Sequence, residues 1–106
     1  MIVDPSKFHA DFAADLPAKV AQFMAISQVP LNTSAFSTPI TDAAWHHKPS
    51  WYAVAMQDRE INPDQERFTA KRAGSITIDV KGSHAIYMSQ PGIVAKLIEQ
   101  AAEGAK

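Results

Sequence analysis

Residues 51–80 read WYAVAMQDREINPDQERFTAKRAGSITIDV, and in this segment two apolar runs flank a helical pattern. The first run, 51–56, is continuously apolar and of strand length, which is typical of a strand buried on both faces of a parallel sheet. Asn62 caps the predicted helix, which has a proline at its first position, and Gly74 ends it. A second strand is predicted over 75–80. Because a strand, a helix and a strand in this order form a right-handed crossover, we expect the two strands to be parallel.

A further helix is predicted after the second strand. Its apolar residues recur at helical spacing from Ile93 onward, and Gly104 ends the pattern. Residues 48–106 therefore have the order strand, helix, strand, helix, which predicts an α/β fold built on a parallel sheet.

A sheet of only two parallel strands raises a physical difficulty. Parallel strands normally have neighbours on both sides and helices over both faces, and each of these two strands leaves one edge unpaired. We therefore expect the chain to be the C-terminal portion of a larger α/β domain. The alternative is a small α+β domain that covers its edges with residues 1–47 or by forming a dimer.

Residues 1–47 have a different character, because prolines break their helical patterns. Phe8 and Phe12 are spaced as i and i+4 on a first short helix or turn. Asp15 is placed to cap a second helix. The apolar face of that helix is predicted to comprise Val20, Phe23, Met24 and Ser27.

Composition excludes several classes of protein. The net charge of -1, from 10 Lys+Arg and 11 Asp+Glu, gives no electrostatic footprint for nucleic acid or an anionic membrane. The absence of cysteine excludes a disulfide scaffold and a thiol nucleophile. His46 and His47 do not predict a metal site, because adjacent side chains diverge and no third ligand has a suitable spacing. No membrane span or signal peptide is predicted, so we expect a cytoplasmic globular protein.

Two residues with chemical potential follow the predicted strands. Asp58 comes after the first strand and His84 after the second, 26 positions later. Reactive side chains of open α/β sheets gather just past the carboxyl ends of strands, so adjacent parallel strands would bring these two loops together. A carboxylate there fixes the tautomer of the imidazole and leaves its other nitrogen free as a base. The residues alone also allow a solvated loop acid and a turn histidine.

Three segments resemble parts of the α/β-hydrolase family. The segment KPSWYAVAMQDREI at 48–61 is similar to the strand and acid-bearing loop near the end of these enzymes. GSHA at 82–85, followed by SQP at 89–91, resembles the catalytic-histidine loop that leads into the final helix of the family. Residues 8–28 are similar to the helical lid of small bacterial esterase-like members. The resemblance covers nearly the whole chain and keeps the order lid, acid, histidine.

The resemblance implies an architecture and an activity. Residues 1–47 would form a helical lid, and 48–106 the C-terminal βαβα part of an α/β-hydrolase core. The implied reaction is hydrolysis of a small ester or acyl substrate without a cofactor, with Asp58 as triad acid and His84 as triad base. Lids of this family line a hydrophobic pocket. The resemblance therefore implies that four residues of the lid segment are candidate substrate contacts: Phe12, Phe23, Met24 and Trp45. Ordinary helix packing explains these four residues equally well.

The sequence departs from the family at the nucleophile. Family members carry a serine in a G-x-S-x-G turn and an oxyanion-hole segment upstream of the acid, and neither occurs in these 106 residues. Ser83 is adjacent to His84, but the resemblance gives it no catalytic role, and we expect it to form loop hydrogen bonds. An imidazole–carboxylate pair alone supports only weak hydrolysis of activated esters. The parent protein is thus expected to be the enzyme, and the isolated chain inactive.

Three interpretations of the missing serine stay open. Met1 is an internal methionine of a longer hydrolase, or a partner chain supplies the serine. In the third interpretation the chain is a truncated, non-catalytic remnant. Such a remnant would self-associate through its exposed strand edge and its lid face and serve as a binding or structural module.

Overall fold

The computed structural model describes all 106 residues, which form a mixed helix and strand fold. None of its helices combines the length and the apolar character that crossing a bilayer requires. Two short 3-10 turns, Thr33–Phe36 and Ala44–His46, precede the first strand. The other elements in chain order are α1 (Phe8–Asp11), α2 (Ala18–Ile26), β1 (Trp51–Ala55), α3 (Pro63–Ala73), β2 (Ile76–Val80), α4 (Ile86–Ser89) and α5 (Pro91–Gly104).

The sheet consists of β1 and β2 alone, and the two strands are parallel. Trp51 lies opposite Ile76, and Ala55 lies opposite Val80. The predicted parallel crossover is therefore confirmed, and the chain is α/β at this coarse level.

Helices pack against both faces of the sheet at β1, whereas three of the five residues of β2 are exposed. On one face Ala55 and Val80 pack against Ile86 of α4, and α5 also contacts β1. On the other face α3 packs against β1, and the guanidinium of Arg67 donates a hydrogen bond to the Asp79 carboxylate at 3.1 Å. The carboxyl ends of the strands are left free to carry loops.

The signals that delimit α3 act as predicted. The side chain of Asn62 accepts a hydrogen bond from the backbone N–H of Asp64 at 2.9 Å, and Pro63 occupies the first turn, where no N–H is needed. Gly74 ends the helix with φ of +66°, a left-handed conformation that favours glycine.

The prediction that β1 is buried on both faces is wrong for its first three residues. Val54 and Ala55 are buried, whereas Trp51, Tyr52 and Ala53 remain half-buried. The reason is that β1 has a strand neighbour on one side only, so its other edge is open along most of its length.

The predicted cap of α2 is also wrong, and of its predicted apolar face only Met24 packs against buried residues, while Val20, Phe23 and Ser27 are exposed. Pro17 occupies the N-cap position, and no side chain forms a capping hydrogen bond there. Asp15 instead binds a loop of the C-terminal half. The buried residues of α2 are Ala21 and Ala25, whereas Phe23 is 69% exposed. Small side chains let the helix approach its neighbours closely, and this packing outweighs the larger apolar residues in deciding which face is buried.

The N-terminal segment and the histidine loop share one hydrophobic cluster. Its members come from α1, α2 and the turns beside them, with one residue, Ala85, from the loop after β2. The six buried residues are Phe8, Ala13, Leu16, Ala21, Ala25 and Ala85. The part of the N-terminal segment that includes α1 and α2 is thereby attached to the loop that carries His84.

Candidate active site

Backbone pairing continues past the ends of the strands and holds the two following loops together. The N–H of Met56 donates to the carbonyl of Val80 at 2.9 Å, and the N–H of Gln57 donates to the carbonyl of Gly82 at 3.0 Å. This pairing places Asp58 beside His84. The Nδ1 atom of His84 lies 2.6 Å from Oδ2 of Asp58, a short charge-assisted hydrogen bond.

The Asp58 carboxylate is fixed from both sides. Its side chain is only 2% exposed, and Oδ1 accepts hydrogen bonds from the N–H groups of Glu60 at 2.7 Å and Ile61 at 3.1 Å. Burial by itself raises the pKa of Asp58, but the hydrogen bonds from Ile61, His84 and Glu60 outweigh burial and hold that pKa below its ordinary value of 3.8. Asp58 is therefore an oriented anion at neutral pH.

The His84 ring is held by Asp58 and by an aromatic neighbour. The ring of Phe12 lies 4.6 Å from the imidazole, centroid to centroid, at an interplanar angle of 54°. The N–H of Ala85 donates to the carbonyl of Phe12 at 3.2 Å, which ties the loop to the N-terminal segment. The side chain of His84 is 30% exposed, and its Nε2 atom forms no hydrogen bond within the chain. Nε2 is therefore free to exchange a proton with a ligand.

Asp15 anchors the histidine loop from a distance of 68 positions in sequence. Its carboxylate accepts hydrogen bonds from the N–H of Ser83 at 3.1 Å and from the Ser83 hydroxyl. Burial raises the pKa of Asp15, but the hydrogen bonds from Ser83 and Ser89 hold it below its ordinary value. A Cβ atom at Gly82 would lie 2.7 Å from Oδ2 of Asp15 and 2.9 Å from Cγ2 of Ile86, so any larger residue at position 82 would displace these side chains.

A cavity of about 270 Å³ opens beside the pair and along the free edge of β1. It is mostly apolar, and its polar wall carries both members of the pair. The lining residues are Trp51, Tyr52, Ala53, Ala55, Asp58, Ile61, Glu66, His84 and Ile86. A small, predominantly apolar ligand bound there would contact the imidazole.

Glu66 is a feature of the cavity that sequence reasoning missed. Glu66 is only 4% exposed. Its Oε2 atom accepts a hydrogen bond from the N–H of Ala55 at 3.1 Å, and its buried Oε1 atom has no hydrogen-bond partner. Burial and the nearby carboxylate of Asp58 raise the pKa of Glu66 above its ordinary value of 4.5. The only available signal was position, since Glu66 shares a helix face with Ala70.

The four candidate lid residues have different surroundings. Phe12 contacts the imidazole of His84, as described above, but does not line the cavity. Phe23 is exposed, and Met24 packs against the N-terminal cluster. The ring of Trp45 lies beneath the guanidinium of Arg72, with 5.3 Å between the guanidinium carbon and the ring centroid. The structure brings only Phe12 to the pair.

The chemistry available at this site is proton transfer. A buried carboxylate, an oriented imidazole and a free ring nitrogen are the parts of a general base. No group of three His, Asp or Glu side chains is arranged to hold a metal ion.

No family model matches the sequence, and no similar chain is found among curated proteins or solved structures.

The lowered pKa of Asp58 predicts an acid-sensitive contribution to stability. Because the folded-state pKa lies below the ordinary 3.8, this contribution is present above that value and is lost as the pH falls through the folded-state pKa. We expect D58N to lower the free energy of unfolding by about 1–3 kcal/mol at neutral pH and to weaken its decline in acid. Urea denaturation followed by circular dichroism at several pH values measures both effects.

The matched control for this variant is D42N. The carboxylate of Asp42 also contacts a histidine, His47, at 3.5 Å, but both side chains are largely exposed, and exposed pairs contribute little. An identical acid response in D58N and the unmodified chain would show that the Asp58 hydrogen bonds do not stabilise the fold.

Proposed function

We propose that Asp58 and His84 are the carboxylate and imidazole of a serine-type acyl hydrolase that cleaves small ester or related acyl bonds. The observation that carries the proposal is the 2.6 Å hydrogen bond from the His84 ring to a buried carboxylate. The resemblance of 48–61 and 82–85 to the acid and histidine loops of α/β-hydrolases supports it independently.

Each member of the pair has a defined role in this reaction. Nε2 of His84 takes the proton of an attacking hydroxyl and returns it to the leaving group. Asp58 accepts the Nδ1–H of the ring, selects that tautomer and stabilises the imidazolium that forms. The chemistry involves side chains and water only and needs no cofactor.

The attacking serine is proposed to come from outside these 106 residues. No G-x-S-x-G turn is present in them. Ser83 is unsuited to the role, because it is 2% exposed and its hydroxyl donates to Asp15 while accepting from the N–H of Ala85. A longer form of the chain or a partner chain would supply the nucleophile.

The cavity limits the substrate. Its volume of about 270 Å³ lies just below the range of typical ligand pockets, and six of its nine lining residues are hydrophobic. A short acyl or single-ring aromatic group fits this space better than a long chain or a charged group. The substrate class proposed is therefore a small apolar ester.

The base role of His84 predicts a weak hydrolysis that depends on this residue. With p-nitrophenyl acetate as the activated ester, we expect the chain to hydrolyse slowly and H84A to reduce the second-order rate constant by about tenfold or more. D58N is expected to reduce it as well, because the ring loses its fixed tautomer. The rates are measured from the absorbance of the released p-nitrophenolate, after subtraction of the rate in buffer alone.

The matched control is H47A, since His47 is an exposed imidazole that also contacts an aspartate, Asp42, at 3.5 Å. H47A is expected to retain the rate of the unmodified chain. Equal losses in H84A and H47A would mean that hydrolysis comes from any surface imidazole, and the proposed function would fail.

A second candidate function is self-association through the free edge of β1. The backbone groups of Ser50 and Met56 form hydrogen bonds to β2. Alternate residues of a strand bond to opposite sides, so Trp51 and Ala53 direct their N–H and C=O groups away from β2. The outward groups of Ala55 are already bound by Glu66 and Asp58. The open edge therefore consists of Trp51 and Ala53, flanked by the apolar cavity.

The chain as a whole exposes more surface than a compact monomer of its size, so it has area available to bury against a second copy. The accessible surface is 7607 Å², about 1,800 Å² more than a folded monomer of 11.6 kDa exposes. The radius of gyration, 15.2 Å, also exceeds the roughly 13 Å of a compact domain of this length. The excess is larger than the ~800 Å² that each partner buries in a standard interface. Antiparallel pairing of two β1 strands about Ala53 would be two-fold symmetric.

This candidate predicts that A53P prevents association. The N–H of Ala53 faces away from β2, so its removal spares the ladder but deletes a hydrogen bond to a second copy. We expect a concentration-dependent dimer for the unmodified chain and for the control A53S, and a monomer for A53P, by sedimentation equilibrium. A monomeric unmodified chain, or an A53P dimer of equal affinity, would eliminate this function.

A further inference from the structure

Glu66 lies in the wall of the cavity, between the free edge of β1 and the Asp58–His84 pair. One of its carboxyl oxygens, Oε2, accepts the N–H of Ala55. The other, Oε1, is shielded from solvent, and no donor group of the chain forms a hydrogen bond to it. A buried polar atom without a partner is costly, so this oxygen calls for an explanation.

The surroundings of Glu66 favour its neutral form. The titratable groups that share the cavity wall are Tyr52, Asp58 and His84. Burial and the charge of Asp58 raise the pKa of Glu66. Burial together with Glu66 and Asp58 raises the pKa of Tyr52, which keeps the phenol protonated. Because the pKa of Asp58 is lowered and that of Glu66 is raised, between the two titrations Asp58 is the anion and Glu66 is a carboxylic acid whose proton needs an acceptor.

Asp58 has one acceptor site to spare. A carboxylate offers about four lone-pair sites. Oδ1 of Asp58 accepts from the N–H groups of Glu60 and Ile61, and Oδ2 accepts from Nδ1 of His84. One site on Oδ2 is left. An O–H on Oε1 of Glu66 and this site would satisfy each other.

We propose that Glu66 is a positioning residue of the pair, a neutral acid whose Oε1–H donates to the Asp58 carboxylate and holds it against His84. No covalent step is involved. The structural part concerns only the cluster in the folded chain. The consequence for hydrolysis rests on the function proposed above.

Two substitutions separate positioning from simple packing. E66Q preserves an acceptor for the N–H of Ala55 and offers an amide N–H to Asp58, so it imitates the neutral acid. E66M has a similar length but removes both hydrogen bonds. The readout is the pH titration of the side-chain carboxyl carbons of Asp58 and Glu66, followed by carbon-13 NMR in the full chain. A role of Glu66 in packing alone would leave the midpoint of the Asp58 titration unchanged.

In the unmodified chain Glu66 is expected to titrate above 4.5 and Asp58 below 3.8. E66Q is expected to leave the Asp58 midpoint in place, because a neutral donor replaces a neutral donor. E66M is expected to raise that midpoint, because the anion of Asp58 loses a hydrogen bond. If E66M does not fold, the Glu66 titration and E66Q still decide the question.

Three outcomes would overturn the proposal. Glu66 titrates at or below 4.5; E66Q lowers the Asp58 midpoint, as removal of a negative neighbour would; or E66M leaves that midpoint unchanged. None of these results depends on hydrolysis. Failure of the Glu66 test with His84-dependent hydrolysis intact would leave the proposed function standing. The reverse result would remove the function and leave the hydrogen-bonded cluster.

Discussion

The parallel pairing of β1 with β2, continued into the following loops, is the constraint on which the rest of the structure depends. The register sets Ala55 opposite Val80, and the hydrogen bond from Gln57 to Gly82 extends it beyond the strands. A slip of one residue would turn every strand side chain to the opposite face. The same slip would separate Asp58 from His84. One set of backbone hydrogen bonds thus sets both the strand register and the approach of the two loops that carry the candidate site.

The two sides of the site are held in different ways. Asp58 belongs to a local turn, in which its own neighbours at 60 and 61 donate to it. The loop that carries His84 is instead held from a distance, by Asp15 and by the carbonyl of Phe12. The N-terminal segment therefore serves as a support for the histidine loop. Its buried residues form most of the larger hydrophobic cluster of the chain, which has six buried members against three in the cluster around the sheet, so the segment contributes to the core as well as to the site.

The sequence was informative where local patterns decide structure. The caps of α3, its end at Gly74 and the parallel crossover all follow from short-range rules of turns and helices. The roles of Asp15 and Glu66 could not be predicted in this way. Asp15 has the pattern of a helix cap but binds a loop 68 positions later, and Glu66 is an acidic residue on the buried face of a helix. Both depend on tertiary packing, which composition and periodicity do not encode.

The pairing of Asp58 with His84 is tested most directly by the proton NMR spectrum of the imidazole N–H groups in the folded chain. A short hydrogen bond between His84 and a buried carboxylate predicts one Nδ1–H resonance far downfield of the amide region, since the proton is deshielded and protected from solvent exchange. The signal should vanish in D58N and persist in H47A. Its absence from the unmodified chain, or its survival in D58N, would contradict the claim that Asp58 and His84 form an oriented pair.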